Sequence, residues 1–354
     1  IMTVSERRVP MANFRIPDVR RLPAIASIFV ILALIGSVCA RPLSAAADSA
    51  ITVTFIDVGQ GDAILVSTDD GRHMLVDGGP KAAGGKLVAT LHSMGVGHLD
   101  VVVSTHPHED HVGGLIEVLD SFAVGKVLDS AKAHTSATYE AYLSKIYEKG
   151  IAFSAPRAGD SFDLGPVTIK VLWPTEPLPQ DINDSSLVLE VAYGKSRILL
   201  TGDISGHVER ILADTGVLNH IHLLKVAHHG SRTSTTQGFL TQTSPRLAVI
   251  QVGQGNDYGH PSNQVLTNLR SRDVLAYRTD EHGSVSVKMR PDGKTFSVHI
   301  EQPGNDLRAS SSSDVFHRSS CRYVNTIDAS RIVMISDREQ AMNAGYRPCK
   351  LCNP

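Results

Sequence analysis

Short hydrophobic stretches with β-strand character recur along the chain from residue 51 onward. Ile51, Val53 and Phe55 alternate with threonines, which is the two-residue period of a half-buried strand. The stretch 100–104 is short and rich in valine, which is typical of a fully buried strand. The same criteria predict strands at residues 63–67, 73–76, 167–172, 187–191, 197–200, 223–226, 247–252, 285–289 and 295–300.

Helices are predicted between these strands, where apolar residues recur every three or four positions. Leu87, Leu91 and Met94 follow this spacing, and Gly95 is suited to end the helix. The segments 139–149, 207–215 and 263–270 also fit helices. Because strands with interspersed helices extend over about 250 residues, the chain is predicted to have the α/β fold class.

The N-terminus has the features of a targeting segment. Arg15, Arg20 and Arg21 precede an uncharged, largely apolar run at 24–40, and the small residues Ala45-Ala46-Ala47 fit a cleavage site. We interpret residues 1–48 as a signal peptide; the alternative is a retained N-terminal anchor. Either interpretation predicts an exported protein (periplasmic, extracellular or membrane-anchored) that contacts the membrane at least transiently through this segment.

The remainder divides into a large domain and a small one. Residues 49–302 contain the predicted strands and helices, and residues 315–354 form a separate unit. The residues between them, 303–314, are polar and serine-rich, and are predicted to be a flexible linker. With 42% hydrophobic and 20% charged residues the chain can build a sizeable core, and its net charge of −2 excludes a strongly basic protein overall.

The strongest chemical signal is the sequence Thr105-His106-Pro107-His108-Glu109-Asp110-His111. It places three imidazoles and two carboxylates at the carboxyl end of a predicted strand, where α/β proteins build their sites. Neutral imidazole and carboxylate are ligands that suit Zn²⁺ and Mn²⁺. Thr201-Gly202-Asp203 and His228-His229-Gly230-Ser231 follow apolar strands in the same way. Together the three motifs predict a metal site.

These motifs resemble those of the metallo-β-lactamase superfamily, and more closely those of the hydrolase domain of ComEC competence proteins. The resemblance covers about residues 50–300, and the matching segments are 55–62, 77–79, 106–115, 183–189, 199–203, 224–231 and 258–262. It implies an αββα sandwich with the metals at the rim between its two sheets.

The resemblance also implies a ligand set for two divalent metals, Zn²⁺ or Mn²⁺. The implied ligands are His106 and His108 for the first metal, Asp110, His111 and one of the paired histidines (preferably His229) for the second, and Asp203 as the bridge. No third histidine is evident for the first metal, and Asn183 lies in the corresponding stretch.

Further residues are expected around the metals. Asp110 is also expected to orient the attacking water, and His228 and His260 to face the substrate. Three aspartates beside glycines are candidates to hold the ligand histidines from behind, namely Asp57, Asp62 and Asp77. The alternative for these three is turn formation alone.

A second metal motif lies near the C-terminus. His317, Cys321, Cys349 and Cys352 have the spacing of a structural zinc site, and three cysteines cannot pair internally without leaving one over. Disulfide chemistry is the alternative in an exported chain. About forty residues bury too little apolar surface to fold alone, a deficit that Zn²⁺ would offset. The segment resembles the zinc-binding domain of the Ada DNA-repair protein.

These observations predict an exported metal-dependent hydrolase. Two divalent metals about 3.5–4 Å apart share a water and lower its pKa, which yields a hydroxide nucleophile. With the resemblance to ComEC, and with six basic against three acidic residues from residue 315 onward, the preferred reaction is phosphodiester cleavage of DNA. The alternatives are another anionic or cell-envelope ester, such as a phosphocholine-type ester, and a non-catalytic nucleic-acid-binding module. β-Lactamase activity has no support, because a fold does not specify its substrate.

Overall fold

The computed structural model describes residues 49–302, 307–318, 321–328, 331–335 and 338–352 of the chain. The segment 1–48, interpreted from its sequence as a signal peptide or anchor, lies outside the described residues. In the described part of the chain, no helix is both long enough and apolar enough to cross a membrane.

Two β-sheets form the large domain. Their strands are β1 (Ile51–Phe55), β2 (Ile64–Thr68), β3 (His73–Val76), β4 (His98–Ser104), β5 (Ala123–Asp129), β6 (Ala152–Ser154), β7 (Ser161–Leu164), β8 (Val167–Trp173), β9 (Val188–Tyr193), β10 (Ser196–Leu200), β11 (Leu223–Lys225), β12 (Leu247–Ile250), β13 (Leu275–Arg278), β14 (Val285–Met289) and β15 (Phe296–Ile300). The first sheet has the order β15-β14-β1-β2-β3-β4-β5-β6, and the second β13-β12-β11-β10-β9-β8-β7. Strands β3 to β6 run parallel, as do β10 to β13, so each sheet gathers the carboxyl ends of several strands at one edge.

Helices cover the outer face of each sheet. They are α1 (Gly84–Ser93), α2 (Glu109–Val112), α3 (Leu115–Ser121), α4 (Ala137–Glu148), α5 (Gly206–Asp214), α6 (Gln237–Thr243), α7 (Asn263–Arg270) and α8 (Thr279–His282). Inward-facing side chains of both sheets, such as Val53, Val103 and Leu189, form the central core. A second apolar cluster joins α1, α3 and α4 to the first sheet, and a third joins α5, α6 and α7 to the second. The domain is therefore the αββα sandwich that the resemblance implies.

Most elements predicted from the hydrophobic pattern are confirmed. Helix α7 coincides with the predicted segment 263–270, and β14 with 285–289. Strand β5 was not predicted, because Gly125 and Lys126 interrupt its apolar residues. Gly125 is required by packing: a Cβ there would lie 2.7 Å from the carbonyl oxygen of Asp100 on the neighbouring strand.

In the described residues, the C-terminal module is a small four-stranded sheet with a helix, and the linker prediction is wrong for residues 307–310, which form a strand. The elements are β16 (Leu307–Ser310), β17 (Val315–Arg318), β18 (Ile332–Ile335), β19 (Arg347–Pro348) and α9 (Arg338–Asn343), with the strand order β18-β16-β17-β19. Residues 303–314, expected to be a flexible linker, thus contain the inner strand β16. Leu307 and Ala309 are buried against Phe316, and Arg308 pairs with Glu281 of the large domain at 2.7 Å. The run of serines that follows had hidden this alternation.

A glycine-containing loop between β1 and β2 closes one side of the rim. The backbone N–H of Asp62 donates to the carbonyl oxygen of Asp110 at 3.2 Å. Gly61 has φ +143°, and a Cβ at this position would lie 2.3 Å from the same carbonyl oxygen. Only glycine therefore lets the two loops approach this closely. Gly59 has φ +78°, but a Cβ there would meet nothing within 4 Å.

These two glycines give a matched test of the loop contact. We expect Gly59→Ala to cost about 1 kcal/mol of unfolding free energy, the conformational cost of a positive φ. Gly61→Ala adds overpacking against backbone, which costs a further ~1–3 kcal/mol. Urea denaturation of both variants measures the difference. Equal destabilisation would show that the approach to Asp110 does not require glycine.

Candidate metal centre

The side chains implied as metal ligands converge at the rim between the two sheets. They are supplied by the residues after β4 (His106 and His108), by helix α2 (Asp110 and His111), and by the loops after β10 (Asp203) and β11 (His229). Because the carboxyl ends of parallel strands share one edge of a sheet, residues far apart in the sequence become neighbours here.

His106 and His108 direct ring nitrogens at a common point. His106 Nε2 lies 3.0 Å from His108 Nδ1. On its other side, His106 Nδ1 lies 3.3 Å from the hydroxyl of Ser186 and 3.1 Å from that of Thr105. A hydrogen bond from Nδ1 to either hydroxyl leaves Nε2 available as a ligand, so the pair is suited to hold one cation.

Asp203 lies between the two remaining histidines. Its Oδ2 is 3.3 Å from His111 Nε2 and 3.3 Å from His229 Nε2. Asp110 Oδ2 is also 3.3 Å from His229 Nε2. Asp203, His106 and His111 offer ligand atoms within 4.8 Å of one another, as do Asp110, His111 and His229. The shared position of Asp203 fits the bridging role that the resemblance implies.

The histidines are held by their far nitrogens. His111 Nδ1 lies 2.8 Å from Asp77 Oδ2, and His229 Nδ1 lies 2.9 Å from the carbonyl oxygen of Gln251. Both Nε2 atoms therefore face the centre. These two atoms and Asp203 Oδ1 are buried and lack hydrogen-bond partners among the described residues. Buried polar atoms left in this way are costly, and divalent cations would satisfy them.

The electrostatics favour the metal-binding form of the carboxylates and of His106. Burial alone would raise the pKa of Asp203, but the charges of His229 and His111 outweigh it and hold this pKa well below its usual range. The pKa of Asp110 is lowered against burial, chiefly by His111. Burial and the neighbouring His111 push the pKa of His106 well below its usual value. Against the effect of burial, Asp203 and the other carboxylates raise the pKa of His111 and His229 well above its usual value. Ionised carboxylates and neutral imidazole are the forms that coordinate a metal, so a bound cation would displace the protons of His111 and His229.

Asn183 stands where the first metal lacks a third histidine. It lines the cleft, and its Oδ1 is buried without a hydrogen-bond partner among the described residues. An amide oxygen in this position is suited to complete the ligand set of the first metal, either directly or through a water. The assignment of Asn183 to this position stays a prediction from the resemblance.

The metal ligands form the floor of a cleft of about 300 Å³. His228 lies at its wall, with 26% of the side chain exposed and Nε2 3.9 Å from Asp203 Oδ2. His229 and not His228 is therefore placed as the ligand, and His228 and His260 face the substrate space. Three further lining residues were given no role from the sequence, although all lie in the motifs that carry the resemblance: Gln60, Glu109 and Tyr258.

Of the three aspartates predicted to hold the ligand histidines, Asp62 and Asp77 contact these histidines, and the prediction is wrong for Asp57. Asp57 Oδ1 accepts from the N–H of Gly59 at 3.1 Å, and its Oδ2 lies 3.4 Å from Lys86. It shapes the loop, as its turn alternative predicted, and does not reach the site. Asp77 binds His111, and Asp62 contacts His229 together with Lys225, a residue to which the sequence assigned no role.

The four residues of the second metal motif also lie close together in the structure. His317, Cys321, Cys349 and Cys352 bring their ligand atoms within 4.8 Å of one another, and the three cysteines are not in disulfides. Burial and the adjacent thiols raise the pKa of Cys352 to about 12, so a cation is needed for all three thiols to ionise together. His317 Nδ1 is buried without a partner among the described residues. The set fits one tetrahedral zinc with no open position.

Comparisons with known proteins match both parts of the chain. Residues 56–253 match the sequence profile of the metallo-beta-lactamase superfamily, and residues 306–354 match that of the metal binding domain of Ada. ComE operon protein 3 of Bacillus subtilis is 30% identical over 272 residues, covering 72% of this chain. Competence protein ComA of Neisseria gonorrhoeae is 33% identical over 259 residues, covering 73%.

Both relatives are much longer proteins. The chain spans 35% of the length of each of them. Among solved structures, the metallo-beta-lactamase fold protein YhfI from Bacillus subtilis aligns over 64% of this chain and 95% of its own, with 14% identity and a TM-score of 0.43.

Removal of Asp203 tests the shared position of this carboxylate. We expect Asp203→Ala to keep the fold but to lose both metals of the cleft, because two buried histidines lose their common partner. Elemental analysis should find about one zinc per chain, in the C-terminal module, and turnover should fall to background. Asp257→Ala, an exposed carboxylate near the cleft, is the control. A folded Asp203→Ala protein with near-wild-type turnover would contradict a two-metal centre.

Proposed function

Because the chain belongs to the metallo-β-lactamase superfamily, whose members are generally metal-dependent hydrolases, we propose that it is an exported phosphodiesterase or nuclease acting on DNA. Its similarity to proteins named for competence supports a nucleic-acid substrate. The observation that carries the proposal is an aromatic side chain at the mouth of the metal cleft.

Tyr258 is 72% exposed, although exposed tyrosine rings usually pack part of their surface. Its ring stacks on that of His260, with 5.8 Å between centroids and 25° between planes. Asn256 fixes this loop, since its Oδ1 accepts from the N–H groups of both residues at 3.0–3.2 Å. A pre-formed aromatic face beside the metal ligands is suited to stack an unpaired base next to the phosphate under attack.

The charge of the cleft also suits a phosphodiester. The carboxylates of Asp62, Asp77, Asp110, Asp203 and, at the cleft wall, Glu109 gather here with the ammonium group of Lys225. Two divalent cations would offset this net negative charge and let an anionic phosphate approach. The cations would supply Lewis acidity and an activated water. The chain itself would hold the phosphate oxygens with His228 and His260 at the wall and the attacking water's hydrogen with Asp110.

The substrate class is tested by turnover of the purified protein loaded with Mn²⁺ or Zn²⁺. We expect cleavage of single-stranded DNA and of bis-p-nitrophenyl phosphate, and no hydrolysis of a cephalosporin. Turnover of a phosphocholine ester with no cleavage of DNA would replace the proposal by the cell-envelope alternative. Binding of DNA without turnover by either metal form would favour the non-catalytic module.

Tyr258 gives a specific prediction. Tyr258→Ala should raise KM for a single-stranded oligonucleotide about 5- to 100-fold, because stacking of one base contributes ~1–3 kcal/mol. Tyr258→Phe keeps the ring and should stay near wild type. Tyr147→Ala, which removes another exposed tyrosine on α4, is the control. If Tyr258→Phe is as impaired as Tyr258→Ala, the hydroxyl and not the ring contacts the substrate.

We also propose that the C-terminal module binds one structural Zn²⁺ and raises affinity for polyanions without taking part in chemistry. Arg322 and Lys350 are exposed and adjoin the zinc ligands Cys321 and Cys349 in the sequence. Their charges therefore lie at the zinc cluster, which is closed to substrate.

Neutralising these two charges tests the module's role. The double variant Arg322→Gln and Lys350→Gln should raise KM for long DNA at low salt, and the difference should shrink as salt increases. Turnover of bis-p-nitrophenyl phosphate should not change. Arg210→Gln with Lys294→Gln, two exposed charges of the large domain, is the matched control. An unchanged KM for DNA at low salt would leave the module as a cap or docking piece.

Export is proposed from the N-terminal sequence alone, since the apolar run 24–40 is followed by Ala45-Ala46-Ala47. N-terminal sequencing of the mature protein decides between cleavage and anchoring. Recovery of the full-length chain from the cytosol would contradict export.

A further inference from the structure

Lys225 carries a positive charge in the interior, beneath the metal centre. It ends strand β11, and its side chain has no exposed surface. Its Nζ lies 2.6 Å from Asp62 Oδ2 and donates to the carbonyl oxygen of Val226 at 2.9 Å. A buried ammonium costs several kcal/mol unless it is paired, and even a paired one is seldom more stable than an apolar residue of similar size. Packing alone therefore does not account for a lysine here.

Asp62 connects this lysine to the metal ligands. Its Oδ1 lies 3.3 Å from His229 Nδ1, which donates to the carbonyl oxygen of Gln251, so the negative charge of Asp62 favours the ring form with its hydrogen on Nδ1. Its backbone N–H donates to Asp110, and its carbonyl oxygen accepts from the N–H of Gly79 at 2.7 Å. Asp62 is thereby fixed through both backbone and side chain.

Asp62 is also a potential competitor for the metal. Asp62, Asp203 and His229 offer ligand atoms within 4.8 Å of one another. A cation held by these three would sit deeper than one held by Asp110 and His111, and farther from the open cleft. The ammonium of Lys225 occupies Asp62 Oδ2 and opposes a second cation there by charge repulsion.

We propose that Lys225 and Asp62 are a positioning pair, in which Lys225 withholds Asp62 from the metals and Asp62 orients His229 so that Nε2 faces Asp203 and Asp110. Neither residue touches substrate. The inference rests on the metal-binding part of the proposed function and does not depend on which ester is cleaved.

The double variant Lys225→Met with Asp62→Asn is the decisive test, because it removes one charge of each sign and leaves the net charge of the site unchanged. Without a buried unpaired charge, the chelator-treated double variant should unfold within a few degrees of the wild type. Its affinity for Zn²⁺ in the cleft, measured against a chromogenic chelator, should fall about 10- to 100-fold. Lys170→Met, an exposed lysine of strand β8, is the matched control.

The single variants separate charge from position. If Lys225 acts only through its charge, the Lys225→Met protein should bind cations more tightly, with unchanged coordination. A positioning pair predicts an altered visible absorption spectrum of bound Co²⁺, because the freed Asp62 becomes a ligand. If the double variant keeps wild-type Zn²⁺ affinity and Co²⁺ spectrum, the pair is structural only and the proposal is wrong. If Lys225→Met does not fold, the double variant still decides.

The proposed function is tested separately. If the variants show these metal effects but the wild-type protein cleaves no phosphodiester, the proposed function is wrong and this inference stands.

Discussion

Mutual repulsion among carboxylates is the constraint on which the architecture of the large domain depends. Asp62, Asp77 and Asp203 are almost completely buried, and Asp110 joins them at the cleft floor. In a low-dielectric interior such a group persists only with compensating cations or hydrogen bonds. Lys225 compensates one charge, the histidines share the others, and the remaining excess is the physical basis for a site that holds divalent metals.

Backbone packing makes this concentration of charge geometrically possible. The loops that carry the ligands approach one another more closely than side chains permit. A Cβ on Gly114 would lie 2.0 Å from the carbonyl oxygen of Gly78, and one on Gly113 would lie 2.3 Å from the N–H nitrogen of Lys81. Glycine at these positions lets main-chain hydrogen bonds connect the β3, α2 and β1–β2 loops directly. These main-chain hydrogen bonds position the loops that carry the ligand histidines.

The small C-terminal module also carries a set of metal-ligand residues, and there a bound metal would serve folding stability. Its apolar core is slight, and a closed Cys₃His set would provide the missing stability. Strand β16 both completes its sheet and carries Arg308, which pairs with Glu281 of the large domain. The module thus contacts the large domain through an ion pair.

The sequence by itself determined the fold class, most strands and helices, and the types of ligand residue. These follow from local periodicity and from histidine and aspartate placed directly after apolar strands, which is information carried within a few residues. It could not show that Asp57 turns away while Asp62 turns inward, since both stand within two residues of a glycine in one loop. It could not show that β16 is a strand or that Lys225 is buried beneath the ligands. Only the tertiary structure decided these points, because each depends on which distant segment packs against the residue, and hydrophobic pattern does not encode that contact.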